Sequence, residues 1–233
     1  IHVGDHTIPA LIDACQRPKA ISITFQFFAS DGIETYEDAP VISQFLHSHN
    51  PDIWCAETAI EVKSLVRGDF PLDYYGAHRP FHDDAKEQPA WTDGSGRAVP
   101  APFRRCANKR RIRAFPANHY ALRSLDSYLV KNDRGDVNRE HRAFDDTYWR
   151  ERNDAAYFDD SILRYAEPLR AQMDRLKALP GVGALHEEAV GLHQAKRDAL
   201  LAQDSYREMQ TQLRGANRYS AAEAAIIEEI AAL

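Results

Sequence analysis

The nine residues AISITFQFF, Ala20 to Phe28, constrain the fold more than any other part of this chain. They are a dense run of β-branched and aromatic side chains, the strongest strand signal in the sequence. Thr7 to Cys15, just before, reads as a short helix with Thr7 as its cap and Pro9 in the first turn. The stretch SDGIETYEDAP follows, with four carboxylates set among turn residues, and reads as a loop at a strand end. In α/β proteins that is where chemistry is placed. Pro40 to His49 reads as helical, Ala59 to Val66 as a second strand, and Leu125, Tyr128 and Leu129 as a helix capped by Ser124 and stopped by Gly135. The expected class is therefore α/β.

A chain of 233 residues, 44% hydrophobic and 10% aromatic, can build a real core. Its formal charge of −6 gives no bulk attraction to nucleic acid or to an anionic membrane. Cys15, Cys55 and Cys106 are far apart and form no metal-type pair, so three free thiols in a reducing cytoplasm are expected. No apolar run reaches the ~20 residues of a membrane span. The sequence opens Ile-His-Val-Gly-Asp without a methionine, as though entered within an element, and is expected to be a fragment or a chain with an unseen N-terminus.

Residues 68 to 102 are rich in Gly, Pro and Asp, and a long aperiodic stretch of this kind is functional or mobile. Beyond Tyr157 the pattern turns helical. Leu185, Leu192, Ala199, Tyr206 and Leu213 recur every seven residues, with Ala195, Ala202 and Met209 as a second seam. This predicts a helical hairpin with coiled-coil-like packing, appended to the α/β part.

Several polar groupings invite a chemical reading. Six of the ten residues from Arg104 to Arg113 are basic, which suits a local anion site, a solvated or partner-facing patch, or a nucleic-acid surface. His78, His82, Asp83 and Asp84 lack the spacing of a structural zinc site. His186 and His193, one heptad apart, read as a solvated helix face, and Asp13 and Asp126 as exposed helical carboxylates. Asp31, Glu34, Glu37 and Asp38 in the acidic loop suit a general base or divalent-cation ligands. His119 precedes a helix start, where free N–H groups gather anions and a neutral imidazole can ligate a bridging metal; an ordinary histidine is the alternative.

Taken in order, AISITFQFFASDGIETYEDAPVISQF, LDYYGAHRP, WTDGSGR, NHYALRSLDSYLVKNDRGDVNR and Tyr148-Trp149 resemble the bacterial family-2-like glycosyltransferases of the GT-A type, over residues 1 to about 162. The resemblance implies the acceptor-side portion of a GT-A (Rossmann-like) domain at 1–156, followed by the helical hairpin at 157–233. It implies inverting transfer of a sugar from a nucleotide-sugar donor to a glycan or glycolipid hydroxyl, dependent on Mn²⁺ or Mg²⁺, in cytoplasmic assembly of cell-surface polysaccharide or glycolipid. Membrane proximity would come only through a lipid-linked acceptor. The family's Asp-x-Asp motif would lie just before Ile1, and no such triplet occurs in this chain, so the chain alone is expected to be inactive.

Residue by residue, the match makes His119 a metal or diphosphate ligand and sets Arg123 and Lys131 toward phosphate. Asp31 becomes the expected base, with Glu37 and Asp38 as rivals. His78, Arg79, Asp93, Gly94, Gly96, Asn118 and Tyr120 fall in segments that would line the substrate cleft. The alternative reading is a non-catalytic interaction protein that self-associates through its C-terminal heptads.

Overall fold

The computed structural model describes residues 7–50, 62–81, 89–99, 117–136, 144, 146–214, 216 and 229. Cys55, Cys106, His82, Asp83, Asp84 and the basic run 104–113 lie outside these. The architecture is mixed α/β, and the chain divides into two compact units, each assembled from separated stretches.

The first unit takes its described residues from 7–26, 50, 62–81, 89–99, 117–119 and 229. Helix α1 (Ile8–Ala14) starts as expected: Thr7 caps it by accepting from the Ala10 N–H, and Pro9 stands in its first turn. Strand β1 (Ala20–Phe27) is buried along its whole length. Strand β3 (Val62–Val66) runs antiparallel to it, with Ala20 opposite Val66 and Thr24 opposite Val62. Strand β6 (Trp91–Asp93) lies parallel on the other side, and β7 (Ala117–His119) also pairs with β1. Strand alternation sorts the core into two faces. Ile21 and Ile23 meet Leu11 and Cys15 of α1, while Ala20 meets Phe70 and Trp91. The polar members of β1 are also used: the Trp91 indole donates to Ser22 Oγ at 2.9 Å, and Ser22 pairs with Ser64. A two-stranded ribbon, β4 (Tyr74–Tyr75) with β5 (Pro80–Phe81), also belongs to this unit.

The second unit takes 27–49 together with 120–214 and Ala216 among the described residues. Only Val41–Gln44 of the expected Pro40–His49 helix forms, as the single turn α2; His47–Ser48 instead becomes strand β2, paired with β8 (Tyr157–Phe158). Helices α3 (Leu125–Arg134), α4 (Asp146–Arg150), α5 (Ala166–Lys177), α6 (Val182–Leu201) and α7 (Asp204–Leu213) make up the rest, with a short 3₁₀ segment leading into α5. Its core joins Leu122, Leu125, Tyr128 and Trp149 to Leu213 and Ala216. Each large apolar side chain so buried contributes about 1.5–3 kcal/mol. The compact units therefore do not divide at 156/157: residues of α7 share a core with α3 and α4.

The C-terminal seam also differs from expectation. The helix breaks after Leu201 and resumes at Asp204. Leu185 and Leu192 are 66% and 65% exposed, whereas Leu200 and Leu213 are buried. The face of α6 turned inward carries His186, Val190, His193, Arg197 and Leu200, one step around the helix from the leucines. No helix among the described residues is long and apolar enough to cross a membrane.

Candidate functional site

In the first unit, Phe25 gathers two of the expected site histidines. The His119 ring lies 4.6 Å and the His78 ring 6.1 Å from its centroid. His78 Nδ1 is also 3.2 Å from the Val62 carbonyl. His119 stands on β7, not at the helix start, with Asn118 beside it on the same strand. Arg79 lays its guanidinium over Phe81 at 4.1 Å. Among the described residues no group of three His, Cys, Asp or Glu side chains is placed to hold a metal ion, so His119 offers one ligand, short of a site.

Asp93 is buried and its carboxylate closes its own turn, accepting from the Ser95 N–H at 2.8 Å and the Arg97 N–H at 3.1 Å. The Cys15 thiol, whose pKa is raised by burial, points to the carbonyls of Asp93 and Gly94. The Asp93–Gly96 turn is thus occupied in joining β6 to the end of α1.

In the second unit, the acidic loop begins with a tight turn. Ile33 N–H donates to the Ser30 carbonyl, with Asp31 and Gly32 both at positive φ, the type I′ signature. Ser30 N–H donates to the buried Asn153 side chain at 2.8 Å. Asp31, the expected base, pairs with His47 Nδ1 at 2.5 Å. Glu34 takes a bidentate bond from Arg214, which holds its carboxyl below the usual carboxylate range. Asp38 accepts from His186 Nε2 at 2.8 Å, with Lys177 at 3.5 Å; the His186 bond does most to lower its pKa. Among the described residues no cation pairs with Glu37, whose side chain faces a cleft of about 280 Å³.

Helix α3 stands on that cleft, and its N-terminus is fully used. Leu125 and Asp126 N–H groups donate to the carbonyls of Ile33 and Glu34, and Ser127 N–H donates to Ser124 Oγ. An anion therefore finds no free donor in this first turn, contrary to the expectation for a helix start. Arg123, just before the cap, is held at φ +63° and exposed on the cleft. Lys131 does not reach toward it. Its ammonium donates to the Ala121 carbonyl and to Tyr148 Oη, and lies over the rings of Phe144 and Tyr148. Burial, then the charges of Arg152, Arg134 and Arg123, lower its pKa to about 8. Tyr120 packs on Phe28 at 4.9 Å.

Three residues of this site stand elsewhere than their sequence pattern suggests. Asp126, expected to be exposed, is 6% exposed; its carboxylate accepts from the Tyr36 N–H at 3.1 Å and from Arg197 at 3.3 Å. His186 and His193, expected on a solvated face, turn to the acidic loop. His193 packs its ring, tilted, against Tyr36 at 4.4 Å, and among the described residues no group bonds its buried Nε2. Burial, with the Arg197 charge, lowers its pKa and keeps the imidazole neutral at neutral pH. The one available signal was the histidine heptad itself, running one position out of phase with the leucines.

No family model matches this chain, and neither a curated protein nor a solved structure matches it.

Proposed function

We propose that this chain is the acceptor-side portion of an inverting, GT-A-type glycosyltransferase, using a nucleotide-sugar donor and a divalent cation, with Glu37 as its general base. The observation that supports this reading best is the fate of the three carboxylates after β1. Asp31 is held by His47, and Asp38 by His186 and Lys177, while Glu37 faces the cleft that Arg123 also lines. A paired carboxylate is a poorer proton acceptor than an unpaired one. In the step proposed, the acceptor oxygen bonds to the anomeric carbon, that carbon's bond to the donor diphosphate breaks, and the hydroxyl proton passes to Glu37. The cation would stabilise the departing diphosphate.

The test is sugar transfer by the full gene product with UDP-, GDP- and dTDP-sugars. Glu37→Gln should lower turnover by about 10²–10⁴, while Asp31→Asn and Asp38→Asn should stay within about tenfold of the parent. An unimpaired Glu37→Gln enzyme would remove Glu37 from the role, and absence of donor turnover by any of these sugars would count against the reading as a whole.

A second reading, an interaction protein that self-associates through its C-terminal helices, is favoured by one observation: Leu185 and Leu192 stand exposed one heptad apart.

A further inference from the structure

We propose that the cleft between the acidic loop and α6 is a pocket for a single neutral, hydroxyl-rich sugar ring, and that α6 is the wall deciding which ring fits. The charge inventory disfavours an anion. Arg123 and Glu37 place one charge of each sign on the cleft lining, and the Asp38 charge is answered by Lys177 and His186. The α3 N–H groups that could have bound a phosphate are spent on Ile33, Glu34 and Ser124.

What remains is a mixture suited to hydroxyl groups. Glu37 accepts, Arg123 donates, and the neutral His193 imidazole offers a buried Nε2 that no described residue occupies. Sugar C–H faces need an apolar surface, and Val41, Phe45 and the Tyr36 ring provide it on the loop side. Opposite them α6 contributes Ala189 and Val190, small side chains that leave the space open. A volume of about 280 Å³ is at the small end for ligand pockets, which limits the occupant to one ring. All these residues belong to the second unit.

The assignment rests on the acceptor-side reading for the reaction it would serve; the binding itself is measurable on this chain alone. Saturation-transfer and amide-shift NMR on the full chain would use methyl glucoside, galactoside, mannoside and N-acetylglucosaminide, with glucose 1-phosphate and glucuronate as charged comparators. At least one neutral glycoside should bind, shifting amides in 36–45 and 186–193, and the charged sugars should bind less well. Ala189→Trp should abolish binding, because the indole fills the cleft from an exposed helical position. His193→Phe keeps the ring against Tyr36 and should weaken binding by about tenfold or more. Leu192→Ala, on the outer face of α6, should bind as the parent does.

Failure of every neutral glycoside, preference for the phosphorylated sugar, or binding indifferent to both Ala189→Trp and His193→Phe would overturn the proposal. If Ala189→Trp loses the parent's circular dichroism, His193→Phe and the amide-shift map decide alone. Glycoside binding in a gene product that turns over no donor would sink the transferase reading and leave the pocket standing.

Discussion

At Gly96 the backbone sits at φ +77°, and a Cβ there would stand 3.2 Å from the Ala14 carbonyl oxygen and 3.3 Å from Cys15 Cα. Both neighbours are main chain and cannot swing aside. At Gly32 the backbone is similar, φ +74°, yet a Cβ would meet nothing within 4 Å. Gly96→Ala should therefore cost about 1–3 kcal/mol and Gly32→Ala about 1 kcal/mol. Urea midpoints would show the difference, and equal losses at the two sites would mean that the contact with α1 carries no weight. The turn at Asp93–Gly96 was legible in its residues, because Asp and Gly each have a local reason to be there. Its attachment to Cys15 was not, since the contact spans 78 residues of sequence. The same holds for Lys131: its helix position is plain from spacing, but only the fold brings Tyr148 and Ala121 to its ammonium.

Among the elements, β1 and α1 follow from local chemistry, whereas α6 misleads. A helix normally turns its apolar stripe to the core. Here the inward stripe is His186, Val190, His193 and Arg197, because what it packs against is an acidic loop and the Asp126 carboxylate. Periodicity reports that two stripes exist and not which one finds a partner. The arrangement makes the loop's grip acid-sensitive, in two windows. His193 has a folded pKa below its ordinary 6.5, so unfolding takes up a proton there; stability is complete above 6.5 and falls as pH drops through the window beneath it. Asp38 has a folded pKa below 3.8, so its contribution is present above 3.8 and is lost as pH falls through the folded value. His193→Phe should flatten the first loss and leave the second, whereas Asp38→Asn should do the reverse. Denaturant titrations from pH 8 to pH 3 would resolve the two, and identical profiles for parent and variants would refute the linkage. The Glu34–Arg214 pair is exposed on both sides, so Glu34→Gln should change stability by under ~1 kcal/mol.

For the molecule as a whole, two compact units built from interleaved segments were not legible, because strand and helix patterns say nothing about which distant stretches share a core. The α/β class was legible, from β1 and the helical third. The exposed leucines 185 and 192 belong to this scale, since only another surface could cover them. Sedimentation of the full chain distinguishes the self-associating reading: Leu185→Glu with Leu192→Glu should convert any dimer to monomer, and a parent that stays monomeric at high concentration would dispose of that reading. The burial of Leu213 and Ala216 against Leu122, Leu125 and Tyr128 has a practical corollary for anyone cloning this protein. A gene cut after residue 156, as its sequence invites, would strip the lid from an oily interior and release three anchors of the acidic loop at once. The truncated product should precipitate, and its insolubility would be mistaken for a property of residues 1–156.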